Sequence, residues 1–212
     1  MSQTVWIARH GNRLDFVNPE WFNTARRRYD PPLSDDGLIQ AQELGRRLQN
    51  EPISHIFASP FLRTIQTANE VAKILDLPIK LEAGLSEWHN PHWMSETPET
   101  HPQEILASQF SRIDWSYQSL VFPQYPETET DVYRRTGETA KKLVTKFTDN
   151  ILLIGHGASV AGTTKGLVPI DPPFKVSLCS LVKIVHRNQN WQLELRGDTS
   201  HLSQTEAKIR LN

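Results

Sequence analysis

Two short apolar runs along this chain end in a histidine flanked by glycine. Val5-Trp6-Ile7-Ala8 leads into Arg9-His10-Gly11, and Ile151-Leu152-Leu153-Ile154 leads into Gly155-His156-Gly157. Each run reads as a short β-type stretch. Along the chain Ile53 to Ala58 reads as the second strand, and Pro78 to Leu81 as a short one. Between them the spacing changes to three and four. Ser34-Asp35-Asp36 caps a helix with Leu38, Ala41, Leu44, Gly45 and Leu48 on one side. Ser59-Pro60 reads as cap and first-turn proline of another, striped by Leu62, Ile65, Ala68, Ala72 and Leu75. Asn18-Pro19-Glu20 predicts a shorter helix running to about Arg28.

From Glu87 to Asp131 the periodicity fails, while Trp88, Trp93, Trp115, Tyr117 and Tyr125 keep the segment rich in aromatics. A long irregular stretch inside a compact domain is functional or disordered, and this aromatic content argues for a folded lid. Its aromatics either form the lid's own small core or face a flat substrate group. Helices then run from about Val132 to Phe147 and Ala158 to Leu167, on either side of the strand Ile151–Ile154. Leu178–Val185 and Trp191–Leu195 flank Arg187-Asn188-Gln189-Asn190 as a hairpin at the sheet edge. The polar tail after Ser200 predicts weak order. No repeat or linker interrupts the chain, so the expectation is one α/β domain over residues 1–212 with an inserted lid at about 87–131.

Composition narrows the partners. The 212 residues carry a formal net charge of −1, which advertises neither nucleic acid nor an anionic membrane. The lone Cys179 cannot close an intramolecular disulfide, and no paired-cysteine metal spacing is present. Met1-Ser2-Gln3-Thr4 lacks the basic and apolar regions of a signal peptide, and no apolar run approaches the roughly 20 residues that span a bilayer. A cytoplasmic enzyme is the expectation.

The chemistry collects at strand ends, where open α/β sheets place their ligands. Arg9 and His10 follow the first strand, with Arg13 four residues beyond Arg9. Arg63 falls in the first helical turn after Ile53–Ala58, where free N–H groups and the helix dipole favour anions. His156 follows the strand at Ile151. Arginine grips phosphate with a planar fork of donors, and a neutral histidine can act as a nucleophile. Together they indicate phosphoryl transfer to a histidine.

Other signals have duller readings. Gly157 to Gly162 resembles the start of a P-loop, but Thr163 stands where the phosphate-binding lysine belongs. Cys179 is no cysteine-phosphatase nucleophile, because Val185 occupies the arginine position of a Cys-x5-Arg loop. His89, His92 and His101 lie in an irregular loop without an acidic partner pattern for a metal. Arg26-Arg27-Arg28 is either an anion funnel or a solvated helix face.

The order and spacing of these motifs resemble the histidine phosphatase (phosphoglycerate mutase-like) superfamily. The resemblance rests on Arg9-His10-Gly11-Asn12-Arg13, Leu33-Ser34-Asp35-Asp36-Gly37, Ser59 to Ala68, Gly84-Leu85-Ser86-Glu87-Trp88 and Gly155-His156-Gly157. Within it, Glu87-Trp88, Pro91-His92-Trp93, Ile113-Asp114 before Tyr117, and Glu129 before Tyr133 resemble the phosphatase domain of the suppressor-of-T-cell-receptor-signalling (TULA-type) proteins. The resemblance implies a three-layer α/β sandwich, with a mostly parallel sheet between helices and a lid over the strand C-terminal ends. It implies a metal-independent, cofactor-free phosphomonoester hydrolase with His10 as the phosphorylated nucleophile. Arg9, Arg63 and His156 would hold the phosphoryl oxygens, with Arg13 and Asn12 adding substrate contacts, and Glu87 would serve as proton donor. A small-molecule or phosphotyrosine-like phosphomonoester is the implied substrate and a homodimer the implied assembly. Two alternatives stay open: phosphoglycerate mutase-type transfer, disfavoured because the mutases' long insert is not recognisable between Arg13 and Ser59, and a non-catalytic phospho-ligand binding module.

Overall fold

A computed structural model describes residues 2–170 and 173–204. Six strands form one sheet: β1 (Thr4–Arg9), β2 (His55–Ala58), β3 (Ile79–Leu81), β4 (Ile151–Gly155), β5 (Leu181–Arg187) and β6 (Asn190–Asp198). Their order is β3-β2-β4-β1-β5-β6; the first four are mutually parallel, while β5 and β6 are antiparallel additions. Successive residues bury opposite faces. Trp6, Ala8, Ile56, Leu152 and Ile154 join one core, whereas Val5, Ile7, Phe57, Ile151 and Leu153 join the other. Both faces are apolar because helices cover both.

Helices α3 (Asp35–Leu48) and α4 (Leu62–Leu75) cover the first face through Leu44, Leu48, Ala68 and Val71. Helices α6 (Glu129–Lys146) and α7 (Gly157–Leu167) cover the second. These two lie unusually close. A Cβ on Gly166 would stand 2.4 Å from the Gly137 Cα, so the stripe Gly137, Gly162, Gly166 serves packing and not a nucleotide.

Several boundaries differ from expectation. Instead of one helix from Asn18 to about Arg28, the chain makes a single turn there, α2 (Trp21–Thr24), preceded by another, α1 (Leu14–Val17). Neither has a long apolar stripe, and the Trp21 indole N–H donates to the Arg28 carbonyl at 2.9 Å, folding the segment back on itself. Arg27 reaches the lid through Glu99 and the Thr100 carbonyl, so it is not spare charge on a solvated face. Helix α4 starts two residues after Ser59-Pro60, with Phe61 at its N-cap and no side-chain cap bond. Helix α6 starts three residues early, where Thr128 and Asp131 form a capping box. The hairpin turns on Asn188 and Gln189, whose φ of 50° and 66° fit a two-residue primed turn. Cys179 is fully buried core. The tail packs further than predicted: the Ser203 N–H donates to Glu43 and Leu202 rests on the first core, while residues 205–212 lie outside the described residues.

The segment 87–131 contains one short helix, α5 (Gln103–Gln109). Leu106, Phe110 and Ile113 pack on Leu62 and Ile65 of α4, so much of the segment buttresses that flank. Among the described residues no helix is long and apolar enough to cross a membrane.

Candidate active site

Register alone brings the two histidines together. Parallel pairing of β1 with β4 aligns Arg9 with Gly155, so the next residues, His10 and His156, leave the sheet side by side. Their ring centroids are 5.2 Å apart. Pairing of β2 with β4 aligns Ala58 with Ile154, which delivers Ser59 and then Arg63 to the same edge. Glycine is required at Gly11, where a Cβ would lie 2.5 Å from the Gly37 carbonyl oxygen at the start of α3.

His10 is fully buried. Its Nδ1 lies 2.7 Å from the Gly11 carbonyl, which accepts only if Nδ1 carries the proton. Its Nε2 has no hydrogen-bond partner among the described residues. Burial, then the charges of Arg63, Arg9 and Arg13, push its pKa well below the ordinary histidine value. The ring is therefore neutral, with a lone pair free on Nε2. His156 is depressed in the same direction by burial and by Arg63. The Arg63 Nη2 is 3.1 Å from His156 Nδ1, and since arginine only donates, Nδ1 accepts. The His156 Nε2–H then donates to Ser59 Oγ at 2.9 Å.

Arg63 is fully buried at the start of α4. Desolvation lowers its pKa to about 10, leaving it charged at neutral pH. Glu87 completes the cluster, its Oε2 3.4 Å from His156 Nδ1 and 3.5 Å from Arg63 Nη2. Arg9 donates from Nη1 to the Val176 carbonyl at 2.8 Å and lines the adjoining cleft. Arg13 also lines it, with its fork on both carboxylate oxygens of Asp15. Asn12 is fully buried and lies outside the residues lining the cleft; its backbone ties to Gln40 and Ser34. Side-chain atoms of His10, Glu87 and His156 approach within 4.8 Å of one another, a donor set of the kind that can hold a cation. The surrounding guanidinium groups favour an anion instead.

The cleft is about 400 Å³. Arg9, Arg13, Arg63 and Glu87 line it together with Phe16, Phe22, Tyr29, Trp93 and Met94, and the Arg13 guanidinium lies 4.4 Å over the Phe16 ring. Of the lid aromatics, only Trp93 faces this space. The Trp88 indole N–H donates to the Glu127 carbonyl, Tyr117 to Glu82 and Tyr125 to the Met94 carbonyl, all within the lid and its support. His101 bonds to Asp30, and His89 packs edge-on to Phe61, so His89, His92 and His101 do not converge. Sequence reasoning passed over Ser59 as a histidine anchor, Asp15 under Arg13, and the carboxylate of Asp30 near Arg63.

The chain is 29% identical to the transcription factor tau 55 kDa subunit of Saccharomyces cerevisiae over 96% of its length, and 26% identical to ubiquitin-associated and SH3 domain-containing protein B of Mus musculus, a TULA-type protein, over 84%. It spans only 57% and 34% of those two proteins. The fold matches the crystal structure of the ecdysone phosphate phosphatase of Bombix mori in complex with tungstate, with a TM-score of 0.77 at 22% identity, covering 95% of this chain and 94% of that one. The profile of the histidine phosphatase superfamily (branch 1) matches residues 5–199, and the chain belongs to that superfamily.

Proposed function

We propose that the protein is a metal-independent phosphomonoester hydrolase that works through a phosphohistidine on His10. The observation that carries this reading is the state of His10: neutral, tethered through Nδ1 to the Gly11 carbonyl, with Nε2 unpartnered beside Arg63, His156 and Glu87. Arg9 and Arg63 take the phosphoryl oxygens; His156, with Nδ1 accepting from Arg63 and Nε2–H held by Ser59, steadies that guanidinium rather than meeting an oxygen itself, and Arg13 contributes by sharing its fork with Asp15. The His10 Nε2 lone pair attacks phosphorus, the ester P–O bond breaks, and its electron pair goes to the leaving oxygen, which takes a proton from Glu87. Water then attacks the phosphohistidine, its proton passes to Glu87, and the N–P pair returns to Nε2. Positive charge that a divalent ion supplies in other phosphoryl-transfer sites comes here from arginine.

The aromatic residues lining the cleft support a flat, apolar alcohol component, phosphotyrosine-like in shape, for the substrate. The single sheet with a core on each face supports reading the chain as one domain with 87–131 as its insert.

The test is a phosphomonoester panel read as free phosphate in the presence of chelator, beside interconversion of 3- and 2-phosphoglycerate. The reading predicts phosphate release that chelator leaves intact and His10→Ala abolishes. Phosphoglycerate interconversion outrunning phosphate release would make it a mutase. Phosphate or tungstate binding without any turnover would make it a binding module.

A further inference from the structure

The loop that carries Glu87 has an unusual foundation. Arg135, on α6 and 6% exposed, uses every N–H donor it has. Nε and one Nη2 proton form a fork on the Glu127 carboxylate at 2.6 and 2.7 Å. Nη1 donates to the carbonyls of Gly84 at 2.9 Å and Ser86 at 3.2 Å, and Nη2 donates to that of Glu87 at 3.1 Å. Glu127 then accepts from the His89 amide at 3.2 Å. The ion pair thus grips the main chain immediately before and after Glu87. One turn further along α6, Thr139 presses on the same loop: a Cβ on Gly84 would lie 2.1 Å from its Oγ1. Glu87 Oε1 accepts from the Trp88 amide at 3.0 Å, which aims Oε2 at His156 and Arg63.

A buried ion pair is an uneconomical way to gain stability, since desolvation offsets much of the attraction. Its return here is geometry: three carbonyls around a single carboxylate side chain are fixed from one guanidinium, and the His89 amide from its Glu127 partner. We propose that Arg135, held by Glu127, is a positioning residue that fixes Glu87 for proton transfer to the leaving oxygen. The proposal rests on the reading of Glu87 as the proton donor. A lysine at 135 keeps the charge but has three donors on one nitrogen and cannot span the fork and the three carbonyls.

The experiment compares phenyl phosphate with para-nitrophenyl phosphate, alike in shape but unequal in how much the leaving oxygen needs a proton. It measures kcat and KM for wild type, Arg135→Lys, Glu127→Gln and Glu87→Ala. A positioned acid contributes about 10²–10⁴-fold. Arg135→Lys should therefore lower kcat on phenyl phosphate roughly tenfold more than on para-nitrophenyl phosphate, with KM little changed. Glu127→Gln should move the ratio in the same direction and decides the matter if Arg135→Lys does not fold. Loss of active enzyme, the effect of a purely structural role, scales both esters equally. Equal losses in the clamp variants beside a selective loss in Glu87→Ala overturn the positioning role and leave the acid standing. A non-selective Glu87→Ala overturns both.

Discussion

Replacing Ser59 by alanine removes one oxygen from behind the second histidine. The bond lost is His156 Nε2–H to Ser59 Oγ, 2.9 Å long between two fully buried side chains. Because Arg63 occupies Nδ1 as a donor, the Nε2 proton has nowhere else to go. A buried donor left without an acceptor costs about 1–3 kcal/mol. In a domain of this size each kcal/mol moves Tm by about 2–4 °C, so the melt should fall by roughly 2–12 °C. The ring can escape part of that cost by moving its proton to Nδ1, which faces Glu87 Oε2 at 3.4 Å but collides with the Arg63 donor. That escape displaces a phosphate-binding guanidinium, and one such donor is worth about 10²–10³ in kcat. Ser59→Ala should therefore combine a lower Tm by scanning fluorimetry with at least about a tenfold loss of kcat/KM on para-nitrophenyl phosphate. A serine acting only as a helix cap would lower Tm by a similar amount and leave the kinetics alone. Unchanged kcat/KM would refute the tautomer assignment.

Two further predictions follow from burial and exposure. His10 and His156 have folded pKa values below the ordinary 6.5, so between those values and 6.5 the unfolded chain binds more protons. Stability should be full above 6.5 and fall as pH drops through that window, and His10→Gln should flatten the slope; a His10 that titrates by NMR at or above 6.5 contradicts the assignment. Trp93 is 62% exposed at the cleft mouth, so Trp93→Ala should leave Tm nearly unchanged. It should raise KM for para-nitrophenyl phosphate about two- to tenfold relative to glycerol phosphate; parallel changes on both would remove the stacking role.

What the sequence revealed was local. Apolar runs marked β1, β2 and β4, helical stripes marked α3 and α4, and the residues just beyond the strands, His10, Arg63 and His156, meet because parallel register carries them to one edge. Glu87 was visible only through a short loop motif, and what holds it was not visible. Arg135 follows another arginine on a helix whose bounds alone were read, and Glu127 lies in an irregular stretch, so neither announces a partner eight positions away. Ser59 misled because a Ser-Pro pair has the composition of a helix cap while its hydroxyl is claimed by a histidine 97 residues distant. The lid's aromatics could not be sorted in advance into core and cleft, because that depends on which face each presents after folding. Phe16, on a helical turn the pattern did not mark, and Phe22, on a turn shorter than the helix expected from Asn18, line the cleft instead.

The central claim is that phosphate passes through the His10 ring. Rapid acid quench of the enzyme turning over a radiolabelled phosphomonoester, followed by peptide mapping, reads it directly. The account predicts an acid-labile, alkali-stable label on the peptide containing His10, absent from His10→Ala and longer-lived when Glu87 is replaced. Label elsewhere in the chain, or full turnover with no covalent label and an active His10→Ala enzyme, would contradict it.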